Sequence, residues 1–416
     1  MKKFWLVGLI IAAMAVPELL QAQVEVGAGT LQIGGKVKWG YTYMAESEDA
    51  VGAAAAGQVS GFDGAGIEQF ATTNVEIDIN GTVGEKVAYV IELQSVNGFD
   101  VLVSNPNEIG AIGVRQAKIM FKDVIPMTTV TVGTFNLPVS IYQPRATNDY
   151  DLIVLPLLNL GGAGNAVGFY GPMGLGWQAT GVNFAIMPAD MVELDLSYFN
   201  GNAGGGANTE IDLEKSWLVN LKIMPAEGAM ISIGYLTEGW QENISLPGHP
   251  ASTEQQNATG WVVSGAYDNK KLEANFDYVT MTAKDYQFYK NKLQNLTSTG
   301  YQVTVGYWFT DAIEALVRYE NVDPNTANTK KTWAANGYPS EYDQISILTL
   351  GANYRVTENS EVSVNYLFIT EQGDEINVEK GKTPLDTSFT PPVPWKKGKY
   401  QSLDNDTLLI QVQVWQ

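Results

Sequence analysis

The chain has no cysteine, a single histidine, and 25 basic side chains against 45 acidic ones. Without cysteine there are no disulfides, no thiolate zinc sites and no thiol nucleophile. The lone histidine, His249 in LPGHP, lies between prolines in a loop-like stretch. No Ser–His–Asp or Asp–His constellation assembles around it, so no catalytic residue is expected. Phosphate-cradling loops, dinucleotide fingerprints and zinc-ligand spacings are also missing, so the sequence calls for no cofactor and no metal. Acidic groups at 46–49 and 371–375 read as solvated loop charge rather than as a calcium site. A formal net charge of −20 argues against nucleic acid, whose phosphates require basic patches.

Long apolar runs are scarce too. The greasiest internal stretch, LIVLPLLNL at 152–160, is short and interrupted by Pro156, too little for the ~20 residues of a spanning helix. Only the start, MKKFWLVGLIIAAMAVPELLQA, has the form of an export signal: Lys2 and Lys3, an apolar stretch from Phe4 to Val16, and Ala22 as a cleavage residue. Leu20 is large for the position three residues back from that cut. Residues 1–22 are therefore read as a signal peptide and 23–416 as one domain. Loss of Lys2, Lys3 and Glu18 moves the net charge from −20 to −21. An uncleaved anchor is the alternative. The exported chain is then either soluble or crosses a membrane as strands.

What the sequence does have is alternation. Hydrophobic content is 45%, with 42 glycines and 20 tyrosines, a composition that folds. In NVEIDINGTV, Val75, Ile77, Ile79 and Val83 oppose Asn74, Glu76, Asp78, Asn80 and Thr82. MVELDLSYF, YQVTVGYWFT and SEVSVNYLF repeat the pattern, and period two with β-branched and aromatic residues marks strands. Short turns (83–86, 123–127, 187–190, 224–228, 268–270, 310–312, 357–359) alternate with long loops (45–69, 97–112, 140–165, 201–214, 241–258, 284–297, 325–344, 373–405). Strands are predicted at 31–44, 73–83, 87–96, 113–123, 128–139, 166–187, 191–200, 215–224, 229–240, 259–268, 271–283, 298–310, 313–323, 345–357, 360–372 and 406–416. That is sixteen, provided 166–187 is one strand kinked near PMGLG; splitting it gives seventeen.

Soluble sandwiches also alternate, so two further features decide. The polar faces are rich in ionisable groups, and the apolar faces end in aromatics such as Trp39, Tyr41, Tyr89, Trp217, Tyr235, Trp261 and Tyr307. Rings at strand ends suit membrane–water interfaces. So many apolar faces would overfill one soluble core, whereas a closed transmembrane antiparallel barrel turns them to lipid and pairs every backbone group. The fold class expected is all-β, a barrel of about sixteen strands with short periplasmic turns and long outer loops, in contact with outer-membrane lipid.

The stretches TNVEIDINGTVGEKVAYVIELQS, VRQAKIMFK and VTVGTFNLPVSIYQPRATNDYD, with Gly133, Phe135 and Pro138 as a G-x-F-x-x-P element, resemble the opening third of the phosphate-selective porin O and P family. The resemblance implies a trimeric sixteen-stranded porin whose third outer loop folds into the lumen. In this chain that loop is 140–165, which would present Tyr142, Arg145, Asp149, Tyr150 and Asp151 to the pore. An outer lid or a trimer contact is the alternative for it. Pore-lining charges are expected at Lys36, Lys38, Glu76, Asp78, Glu92, Lys118, Glu193, Asp195, Asp277 and Arg318. The family's arginine ladder and lysine cluster are not matched, because inward acids are at least as many as inward bases. A net-negative wall favours cations. The expectation is thus a homotrimeric outer-membrane pore passing small hydrophilic solutes and ions, with mild cation preference. A solute-specific channel for an anion, sugar or amide is the alternative. An exported structural protein, such as an adhesin or surface-layer component, and a barrel enzyme are readings from other classes.

The last residues, DTLLIQVQVWQ at 406–416, close the pattern. Leu408, Ile410, Val412 and Val414 take the lipid phase and Gln411, Gln413 and Trp415 the inner one. Barrel chains normally finish on Phe or Trp; this one ends one residue later, on Gln416.

Overall fold

A computed structural model describes residues 22–26, 29–44, 67–95, 112–140, 178–200, 215–241, 255–289, 292–323, 326, 344–372 and 407–415. The strands in chain order are β1 (Ala22–Val26), β2 (Gly29–Met44), β3 (Ile67–Val83), β4 (Val87–Ser95), β5 (Ile112–Ile125), β6 (Thr128–Asn136), β7 (Gln178–Ala189), β8 (Val192–Asn200) and β9 (Lys215–Ala226). They continue with β10 (Ala229–Gln241), β11 (Gln255–Asp268), β12 (Leu272–Tyr289), β13 (Lys292–Trp308), β14 (Ile313–Asp323), β15 (Gln344–Thr357), β16 (Ser360–Gln372) and β17 (Thr407–Trp415).

Each strand from β2 onward pairs antiparallel with the next, and β17 returns to pair with β2. The sixteen strands β2–β17 therefore form a closed ring. Within this frame Ser197 is 3% exposed while Tyr198 beside it is 59% exposed. The same contrast recurs around the ring. Val37, Ile119, Val132, Val219, Ile231, Val305 and Leu350 are exposed, whereas Glu76, Glu92, Asp277, Gln302, Glu314 and Arg318 are buried. This inverts a water-soluble protein, in which charged side chains are almost never buried. It is the order expected when lipid bathes the outside and polar groups line the inside.

Aromatic side chains mark the two borders of the lipid band. Trp217 and Tyr235 lie with ring centroids 5.5 Å apart, and Tyr235 and Trp261 4.7 Å apart, towards the long-loop ends. Tyr307 meets Phe309 at 5.1 Å near a short turn. Amphipathic rings belong at such borders. On the outer face, Gly81 opposes Tyr89, and a Cβ at Gly81 would lie 2.3 Å from the Tyr89 hydroxyl. The ring lies over the glycine and fills the gap in the wall.

The ring holds sixteen strands; β7 begins at Gln178, and the predicted stretch 166–177 lies outside the described residues. Elsewhere the structure differs from the strand prediction. Segment 284–297, expected as a loop, is mostly strand: β12 and β13 continue to a last pairing of Tyr289 with Lys292. Its polar sequence carries no continuous apolar face, so the alternation that marked the other strands was missing there. Finally, β1 pairs with β2 from Ala22↔Ile33 to Val26↔Gly29. β17 reaches β2 only as far as Lys36, so β1 covers the part of the β2 edge that β17 leaves open. Its five residues are shorter than the unit sought in the sequence.

Candidate functional site

The candidate site is the inner wall. Lys36, Lys38, Glu76, Asp78, Glu92, Lys118, Glu193, Asp195, Asp277 and Arg318 all fall on the strand phase that turns inward. The structure gathers them into three clusters. Tyr142, Arg145, Asp149, Tyr150 and Asp151 lie outside the described residues, as does His249.

The first cluster spans β2–β5. The β4–β5 register runs Glu92↔Gln116 and then Leu93↔Val114, leaving Arg115 as the extra residue of a bulge. A bulge re-aims side chains, and here Arg115 and Gln116 both turn inward and are buried. The Arg115 guanidinium holds the Glu92 carboxylate through Oε1. Gln116 Nε2 donates to Glu92 Oε2 at 2.6 Å, and Lys118 Nζ donates to Gln116 Oε1 at 2.7 Å. Glu76 Oε2 is 3.9 Å from Arg115 Nη1, and Glu76 pairs across strands with Lys36. Strict alternation would have placed Arg115 against lipid, so the sequence reading passed over it. The missed signal was energetic: an arginine facing the bilayer midplane costs about 2–4 kcal/mol, so its presence there called for a bulge.

The second cluster lies on β7–β9. Lys222 Nζ is 2.6 Å from Glu193 Oε1 and 2.9 Å from Asp195 Oδ2. Asn183 Nδ2 donates to Asp195 Oδ1 at 3.2 Å, and Ser197 Oγ donates to Asn183 Oδ1 at 2.8 Å.

The third cluster runs along β11–β17. Asp277 accepts from Ser264 and, at 3.0 Å, from Gln302. Asn353 Nδ2 donates to Glu314 Oε2 at 3.0 Å, and Gln413 Nε2 donates to Glu361 Oε1 at 2.9 Å. Arg318 Nε sits 2.8 Å from Glu320 Oε2 on the same strand. Near the short-turn end, the Arg355 guanidinium lies 4.6 Å from the Trp308 ring centre, and Lys36 Nζ lies 5.6 Å from that of Trp415. Trp415 is opposite Lys36, on the inner phase.

Above these polar clusters, towards the long loops, the inner wall turns apolar. Phe135, Phe199, Leu218, Leu236, Val279, Met281, Ile347 and Leu409 belong to one buried cluster. Leu137 and Val139 join it from the segment that follows β6. Asn220 Nδ2, on β9, donates to the Pro138 carbonyl at 2.6 Å. The start of the third long loop therefore turns into the barrel instead of out to solvent.

No protein-family model matches the chain, and no curated protein matches it. Solved structures do. OmpT of Vibrio cholerae superposes with a TM-score of 0.56 at 12% identity, covering 95% of this chain and all of that one. An anion-selective porin from Comamonas acidovorans gives 0.58 at 11%, covering 93% and 100%. Salmonella typhi OmpF, in complex with daunomycin, gives 0.56 at 11%, covering 95% and 100%. At such identities the likeness shows the fold. The chain is a closed sixteen-stranded antiparallel barrel of the outer-membrane type, and the outer membrane is its location.

Proposed function

We propose that the barrel is a passive channel for small hydrophilic solutes and ions, acting as a homotrimer after loss of residues 1–22. One observation carries this reading. The ring closes with its apolar phase exposed and its ionisable phase turned inward, as in Tyr198 against Ser197 and Asp195. A structural β-protein has no use for a charged interior, whereas a water path needs one. The inward turn of Leu137–Ser140 supports the reading of the third long loop as the element that narrows the lumen. One OmpT structure that this chain resembles is a trimer form. The route assigns no bond-breaking step and no cofactor; width and wall charge set what passes.

On the described wall the acids slightly outnumber the bases, which supports mild cation preference. A second reading, an anion-selective pore of the phosphate-selective kind, is favoured by Arg115 joining Lys36, Lys38 and Lys118 on one arc. Both readings are tested by adding the purified protein to a planar bilayer. Stepwise conductance is expected, and its absence would sink the channel. The reversal potential in a salt gradient then separates the two selectivities.

A further inference from the structure

We propose that Asn220 and Gly234 are the positioning residues of the channel's constriction, seating the inward arm Leu137–Ser140 on β9 and β10. The proposal rests on the channel reading above. β6 ends at Asn136, and β7 and β8 stand between it and β9 in the ring. To meet β9 the arm must cross the inner face of two strands. Leu137 and Val139 are at most 1% exposed there, packed into the cluster that includes Leu218 and Leu236. Pro138 has no N–H, and its carbonyl is buried within reach of a donor that Asn220 supplies at 2.6 Å. A buried backbone carbonyl requires such a partner.

Asn220 and Gly234 face one another across the β9–β10 ladder. A Cβ on Gly234 would lie 3.1 Å from Val139 Cγ2 and 3.1 Å from Asn220 Oδ1. The missing side chain is the space Val139 occupies. The seat also has a fixed address: Asn220 pairs on its other side with Asp195, and Lys222 is two residues along the same face. The arm therefore crosses next to the Glu193–Asp195–Lys222 cluster, narrowing the lumen where both signs of charge are displayed. An amide suits this seat because it donates without adding charge. An aspartate of the same shape would set a carboxylate against the Pro138 carbonyl.

The chain's lack of cysteine makes the test direct. In the full-length assembled protein, Val139→Cys with Gly234→Cys should cross-link on mild oxidation, read as a mobility shift reversed by reductant. Asn220→Asp and Gly234→Val should keep the heat-modifiable migration of an intact barrel. Their single-channel conductance should rise roughly 1.5-fold or more as the arm leaves its seat. Reversal potential should shift with it. If Gly234→Val fails to assemble, the isosteric Asn220→Asp carries the measurement. Assembled protein that does not cross-link overturns the proposal, as does wild-type conductance and selectivity in Asn220→Asp. A protein that cross-links but never conducts overturns the channel reading and the arm's role in it, leaving only the seat.

Discussion

Two arcs of the same inner wall keep their buried carboxylates in different company. On β2–β5, Lys36, Lys38, Arg115 and Lys118 face Glu76, Asp78 and Glu92, and a bulge brings the guanidinium onto Glu92. On β12–β16, Glu273, Asp277, Glu314, Glu320 and Glu361 share the wall with Arg318 and Arg355. There the carboxylates accept largely from amides and hydroxyls: Asn275, Gln302, Ser264, Asn353, Gln413 and Ser363. Hydrogen bonds satisfy oxygen atoms without cancelling charge. The first arc therefore approaches neutrality or slight positive charge, and the second stays negative. A solute between them meets a graded potential across the lumen, which the chain's overall acidity does not describe.

The largest expected effect separates the two kinds of company. Arg115→Met takes the guanidinium from buried Glu92, and stranding a buried charge costs about 3–5 kcal/mol. The barrel should lose its folded, heat-modifiable form at a markedly lower temperature, and adding Glu92→Gln should recover much of the loss. On the other arc, Glu314→Gln keeps an acceptor for Asn353 and should change stability by less than about 1 kcal/mol. Equal losses from the two changes would erase the distinction.

A smaller effect concerns selectivity. Asp277 accepts from Ser264 on Oδ1 and from Gln302 on Oδ2, so Asp277→Asn removes the charge and keeps the acceptor for Gln302, while its amide N–H can donate to the Ser264 hydroxyl. It should move the cation-to-anion permeability ratio towards anions by roughly twofold. Lys36→Gln should move it the other way. Both shifts should be clear at about 0.1 M salt and nearly gone at about 1 M, where the screening length falls to about 3 Å. Shifts in the same direction, or indifferent to salt, would mean that the wall charges do not set selectivity.

The fold was legible because period-two alternation is a property of the chain itself. Val75, Ile77 and Ile79 opposing Glu76 and Asp78 could be read without knowing any partner strand. The site was legible only in so far as it obeyed the same rule. Arg115 was invisible because a single extra residue in β5 reverses the phase, and only the pairing with β4 shows where that residue falls. Asn220 and Gly234 could not be found for a different reason. Each looks like an ordinary wall residue, and their role comes from a segment 82 residues away in the chain. The apolar upper wall, with Leu218 and Leu236 turned inward, also broke the simple rule that the inner face is polar. Local pattern gives the wall, and long-range packing gives what is fastened to it.

The smallest effect lies where the two arcs converge on the short-turn end, each with a cation over an inward tryptophan. Arg355 lies 4.6 Å from the Trp308 ring centre and Lys36 5.6 Å from that of Trp415. A guanidinium stacks on a ring face, whereas an ammonium acts as a point charge and keeps its water more tightly. Exposed cation–π pairs contribute about 0.5–1 kcal/mol, so both tryptophan-to-leucine changes should be mild, with Trp308→Leu the greater. Trp415 also ties the end of β17 to the β15–β16 turn, because its N–H donates to the Asn359 carbonyl at 3.0 Å while its side chain turns inward beside Lys36. Backbone pairing survives a side-chain change, so Trp415→Leu should leave the ring closed. The last described aromatic ring is thus committed to the inner wall beside Lys36. Removing Gln416 should leave both the melting temperature of the barrel and its yield in the outer membrane unchanged. A fall in yield with no fall in melting temperature would instead assign that last residue to the insertion machinery.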